Sequence, residues 1–163
     1  MTGDRSVVLE LTRLEATHLA GLVAQFAELL EDSGAASSTD PAVLRLVPDA
    51  YADDAGAARE FRELTERDLL ERRRADAGIV LGSLSPAASF ADADDPMEVV
   101  HLTLDADAVQ AWLRALAAIR LVLANRLGIE SEDDHDDEDP RFGIYDWLGY
   151  RLDGLVRAVE NET

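Results

Sequence analysis

Apolar and polar residues alternate from Val7 to Thr12, with Val7, Leu9 and Leu11 on one side and Val8, Glu10 and Thr12 on the other. That period of two predicts a strand with one buried face. Thr12-Arg13-Leu14-Glu15 follows at once and reads as a capping box, in which Thr12 accepts from a first-turn amide and Glu15 reaches back to the Thr12 amide. A helix is therefore expected from there to Gly34, its stripe formed by Leu19, Leu22, Val23, Phe26, Leu29 and Leu30. The design returns later in the chain. Val100-His101-Leu102-Thr103-Leu104 alternates, Asp105 can cap, and Val109, Trp112, Leu113, Leu116, Ile119, Leu123 and Leu127 recur at three- and four-residue steps. A slide of 93 residues places Leu9, Leu11 and Thr12 on Leu102, Leu104 and Asp105, and Leu19, Val23, Phe26 and Leu30 on Trp112, Leu116, Ile119 and Leu123. The two strands are expected to pair as a small ribbon with both helices covering its apolar face.

Between these units Asp40-Pro41 can open a short helix over Ala42 to Val47, and 49–56 reads as a loop. A long helix is predicted from Ala57 to Leu84, with Phe61, Leu64, Leu69 and Ile79 facing inward and Ser85-Pro86 ending it. Residues 85–96, small and acidic with two prolines, read as a connection. From Phe142 onward Tyr145, Leu148, Leu152, Leu155, Val156 and Val159 outline a last amphipathic helix. The expected fold is thus α+β: one mainly helical domain over residues 1–163 with a two-stranded sheet under the helices.

Composition narrows what such a domain does. The 163 residues can bury a core without crosslinks, and a formal charge of −19 repels nucleic-acid phosphates. All basic side chains are arginines, and they do not gather into a broad basic face. Cysteine is absent, which excludes disulfides, thiolate metal sites and a cysteine nucleophile. No apolar run approaches the roughly 20 residues of a membrane span, and the first residues lack a signal-peptide pattern. A cytoplasmic protein is expected.

Few constellations carry chemistry. Arg120 falls among Leu113, Leu116, Leu123 and Leu127, so it needs a carboxylate if it is buried. Asp68, Arg72 and Asp76 lie in a row on the preceding helix, and Asp76 or Asp68 is the expected ion-pair partner for Arg120. Arg72-Arg73-Arg74 is the single basic cluster, from which Arg73 and Arg74 are the candidates for docking an acidic partner. Eight of the ten residues in 130–139 are acidic, but the glycine and spacing of a calcium loop are missing, so a solvated, disordered loop is expected. His18, His101 and His135 have no metal-ligand spacing, and neither a nucleophile elbow nor a phosphate loop occurs. No catalytic set, metal site or cofactor is expected.

The chain also carries Arg72-Arg73-Arg74-Ala75-Asp76-Ala77 with Ile79-Val80-Leu81, Trp112-Leu113 with Ile119-Arg120-Leu121-Val122-Leu123, Arg126-Leu127-Gly128-Ile129, and Tyr145-Asp146-Trp147-Leu148-Gly149. In this order the parts resemble an actinobacterial family of domains of unknown function, whose members are often described as transcriptional regulators. The resemblance implies a helical protein with a small sheet. For some members it also implies oxidative-stress regulation by contact with a sigma factor, switched by a cysteine pair near the N-terminus. The stretch from Val7 to Glu15 holds no cysteine here, so that switch is not carried over. The expected function is a non-enzymatic regulatory or adaptor protein acting on a protein partner, without direct nucleic-acid or membrane binding. Its open strand edges suit a homodimer. The competing class is an anionic-ligand domain with an interhelical pocket around Arg120.

Overall fold

The computed structural model describes residues 6–34, 41–44, 46, 57–88, 95–129 and 138–161. Strand β1 (Val7–Thr12) runs directly into helix α1 (Arg13–Gly34). After the short α2 (Pro41–Leu44) and the long α3 (Ala57–Ala88), strand β2 (Val99–Leu104) leads into α4 (Ala106–Leu127). A 3₁₀ turn (Pro140–Phe142) then opens α5 (Gly143–Asn161). The expected loop at 49–56, the acidic residues 130–137 and the side chain of Phe61 lie outside the described residues.

Both strand-to-helix junctions are capped as their residues dictate. The Glu15 amide donates to Thr12 Oγ1 and the Thr12 amide to Glu15 Oε1, each at 3.0 Å. At the second junction Asp105 accepts from the Ala108 amide at 2.8 Å. Helix α4 closes with Gly128 at φ 75°, where the Gly128 and Ile129 amides reach the Asn125 and Ala124 carbonyls. That left-handed terminus suits glycine, which has no Cβ to clash.

The strands pair antiparallel, Val7 opposite Leu104, Leu9 opposite Leu102 and Leu11 opposite Val100. Leu9 therefore faces the residue 93 positions later, its own counterpart in the slide, which places a local twofold through that pair. Helices α1 and α4 obey the same offset at both ends, Arg13 against Ala106 and Gly34 against Leu127. Their core stripes match as well. Ala16, Leu19, Val23 and Phe26 are buried in α1, and Val109, Trp112, Leu116 and Ile119 in α4. Beneath them Val7, Leu11, Leu102 and Leu104 bury the inner face of the sheet, while Val8, Glu10, His101 and Thr103 face out.

Each first helix has an adjoining second helix. Helix α3 runs antiparallel to α1, with Thr17 Oγ1 donating to the Ala88 carbonyl near one end and Arg74 lying 3.7 Å from Glu31 near the other. Helix α5 packs on α4. The burial of α5 repeats that of α3 at an offset of 71 residues, Leu148 and Leu155 standing for Ala77 and Leu84, and half-buried Leu152 for Leu81. The domain is a doubled strand–helix–helix unit.

In α3 the structure corrects the expected inward face. Leu64 is 65% and Ile79 43% exposed, and the buried positions are Leu70, Asp76, Ala77, Val80, Leu84 and Ala87. Asp76, Ala77 and Ala87 share that stripe with Leu70, Val80 and Leu84, while large apolar residues also lie outside it, so hydrophobicity misplaces its phase. The helix also continues one turn beyond Ser85, with Pro86 inside it.

Candidate protein-docking cleft

Glu15, already used in the capping box, is the hub that attaches α5 to the first strand–helix junction. Its Oε2 accepts from Trp147 Nε1 at 2.9 Å and from Arg151 Nη2 at 2.7 Å. Arg151 Nη1 in turn donates to the Glu10 carbonyl at 3.0 Å. The Arg13 amide donates to the Glu98 carbonyl, so odd-numbered β1 residues bond to β2 and the Glu10 carbonyl points to the free edge. Arg151 thus occupies part of the β1 edge that a strand-paired homodimer would use. Burial by itself would raise the Glu15 pKa, but the Thr12 amide, Arg151 and Trp147 outweigh it and hold the carboxyl down at about 2.

Beyond this clamp α1 and α5 part. They leave an open cleft of about 500 Å³ whose walls include His18, Leu22 and Gln25 from α1 and Ile144 and Trp147 from α5. Gly21 also lines it, and a Cβ there would meet nothing within 4 Å. Ile144 is 56% exposed.

The counterpart of this cleft in the other half is closed. At the offset of 93, His18, Gly21, Leu22 and Gln25 correspond to Ala111, Arg114, Ala115 and Ala118, and the three alanines are buried. At the offset of 71, Trp147 corresponds to Asp76. Asp76 and Arg114 join α3 to α4 through two hydrogen bonds, from Nε to Oδ2 at 3.0 Å and from Nη2 to Oδ1 at 2.9 Å. The hydrogen bond to Asp76 raises the Arg114 pKa above its ordinary value, against a smaller opposing effect of burial.

The expected partner of Asp76 is therefore corrected from Arg120 to Arg114. Arg120 lies six residues further along α4, about 9 Å of helix rise, and so belongs to the α5 contact. Its guanidinium stacks 4.0 Å above the Tyr145 ring, and its Nε donates to the Tyr145 carbonyl at 3.3 Å. Gly149 leaves the room for it, since a Cβ there would come within 2.9 Å of Nη2. Arg120 accordingly borders neither the α1–α5 cleft nor the smaller one between β1 and α5. Asp68 sits on the exposed side of α3, 3.2 Å from Arg72. The docking candidates Arg73 and Arg74 also separate, Arg74 turning toward Glu31 and Arg73 being half-buried with its Nε enclosed and unpartnered. Sequence reasoning missed the cleft. Its signal was the contrast of His18 and Gln25 with Ala111 and Ala118 in the 93-residue slide.

A family model described as a domain of unknown function, DUF2017, matches residues 1–159. The chain belongs to the DUF2017 family. No curated protein and no solved structure matches it. Among the described residues of this DUF2017 domain, no cluster of three or more His, Asp or Glu could hold a metal, and no helix is long and apolar enough to cross a membrane.

Proposed function

We propose that the chain is a non-enzymatic regulatory or adaptor protein that acts by protein contact, with the cleft between α1 and α5 as its contact surface. The carrying observation is the open cleft itself, where Leu22, Ile144 and Trp147 flank Gly21 on a protein of formal charge −19. Concave apolar surface with a few polar groups at its rim is what a partner's side chains can fill. The net charge favours a protein partner over nucleic acid. The resemblance to actinobacterial regulators supports a cytoplasmic role in transcriptional or stress regulation, with a sigma factor as the partner to try first. Without cysteine, such regulation runs through binding and not through a thiol switch.

A photo-crosslinking residue placed at Gln25 in cells tests this, with the same residue at exposed Glu71 on α3 as the control. The expected result is a defined adduct from position 25 alone, formed with a protein that, once purified, binds the wild-type chain and fails to bind Gly21→Leu. No adduct, or the same adduct from both positions, overturns the reading.

A further inference from the structure

Resting on the contact reading above, we infer that the cleft receives an amphipathic helix of a partner protein, with an apolar stripe and basic flanks. The internal twofold supplies the first argument. In one half, Ala111, Ala115 and Ala118 of the α4 face are buried where α3 and α2 pack on that helix, and the half-exposed Arg114 beside them reaches Asp76 of α3. In the other half the equivalent α1 face, made by His18, Gly21, Leu22 and Gln25, is left open, with His18, Gly21 and Gln25 exposed. Among the described residues the fold thus packs helices on one copy of this surface and leaves the second uncovered. From His18 to Gln25 the open face spans about two helical turns, enough to meet anchors at i, i+3 or i+4, and i+7 of an incoming helix.

Charge supplies the second argument. Continuing the open face of α1 by one and two turns gives Glu28 and Asp32, both exposed. Across the cleft the α5 wall starts at Gly143, after the 3₁₀ turn Pro140–Phe142 that Glu138 and Asp139 precede. Exposed carboxylates further along the α1 wall, on a chain of formal charge −19, attract Lys and Arg flanking an apolar stripe and repel an acidic helix or an anionic membrane. The occupant is accordingly a basic amphipathic segment.

The test uses the full-length chain in a Trp112→Phe background, so that Trp147 in the cleft is the one remaining tryptophan. Trp112 is buried with an unpartnered indole N–H, so phenylalanine forfeits no hydrogen bond there. The probes are a leucine–lysine amphipathic peptide of about 18 residues, the same stripe with glutamates for lysines, and the lysine peptide scrambled to destroy its stripe. The lysine peptide is expected to shift Trp147 emission to the blue and to bind at least about tenfold more tightly than either control. Gly21→Leu, which fills open space, and Ile144→Gln on the opposite wall should each weaken that binding by about tenfold or more while melting remains cooperative. Absence of binding, equal binding of the scrambled peptide, or binding indifferent to both substitutions overturns the inference. If position 25 still crosslinks to a protein while all three peptides fail, the contact reading stands and the helical occupant falls.

Discussion

The two halves of this domain start from the same local instructions and finish differently. In each, a strand enters a capped helix of 22 residues, and Leu9 and Leu102 meet as counterparts at the local twofold. In the second half, three alanines on α4 let α3 approach closely, and Asp76 grips Arg114. In the first half, His18, Leu22 and Gln25 take the places of those alanines, glycine takes the place of the arginine, and α5 is joined to α1 through Glu15. Helices approach to about 8–10 Å according to the side chains between them, so replacing a few small residues is enough to hold one pair apart. Symmetry of backbone does not guarantee symmetry of surface, and the departure exposes a site.

The largest expected effect tests whether α3 and α5 are equivalent. Leu84 and Leu155 occupy matching positions and are 0% and 1% exposed. Leu84→Ala and Leu155→Ala should each cost about 2–5 kcal/mol in urea unfolding. A loss below about 1 kcal/mol for just one of them would break the equivalence.

Acid should act on the Glu15 clamp. A carboxyl held at about 2 in the folded state, against an ordinary value of 4.5, contributes stability fully present above pH 4.5 and lost as pH falls toward 2. At 1.36 kcal/mol per unit the contribution reaches at most roughly 3 kcal/mol, reduced by screening at a side chain that retains some solvent contact. Glu15→Gln should lower stability at neutral pH and flatten the acid limb of the unfolding curve. An unchanged limb would separate the clamp from stability.

The closed half makes a smaller prediction. Asp76→Asn keeps the shape but removes a charge-assisted pair, for an expected loss of about 1.5–3 kcal/mol by thermal and urea unfolding. Asp68→Asn, at an exposed pair on the same helix, should change stability by less than about 1 kcal/mol. Equal effects would mean that burial of Asp76 does not set its weight.

The strand–helix units were legible because their signals are local: alternation, a cap, and a stripe of large apolar side chains. The ribbon followed from the slide of 93, since two strands with the same face and the same sequel can pair in only a few ways. Helix α3 was legible as a helix but not in phase, because Asp76, Ala77 and Ala87 share its buried side with Leu70, Val80 and Leu84 while the large apolar Ile79 and Leu64 face outward. That error misdirected Asp76 toward Arg120. The placement of Arg120 was hidden for a different reason, since a backbone carbonyl and an aromatic face leave no charge pattern to read. The cleft was least visible of all. A missing side chain at Gly21 becomes a feature only when set beside Arg114.

The subtlest distinction between the halves lies at two glycines related by the offset of 71, Gly78 in α3 and Gly149 in α5. A Cβ on Gly78 meets open space, so Gly78→Ala should stabilise by about 0.5–1 kcal/mol through helix propensity alone. A Cβ on Gly149 would lie 2.9–3.0 Å from three atoms of the Arg120 guanidinium, which must then leave the Tyr145 ring. That displacement forfeits a cation–π contact of about 0.5–1 kcal/mol and offsets the same helical gain. Gly149→Ala is therefore expected to leave stability unchanged or lower it, and adding Arg120→Met should restore the gain. Urea unfolding of these three variants, of Arg120→Met alone and of wild type decides the matter. If Gly149→Ala stabilises as much as Gly78→Ala, the arginine is not held between ring and glycine, and this contact loses its part in joining α4 to α5.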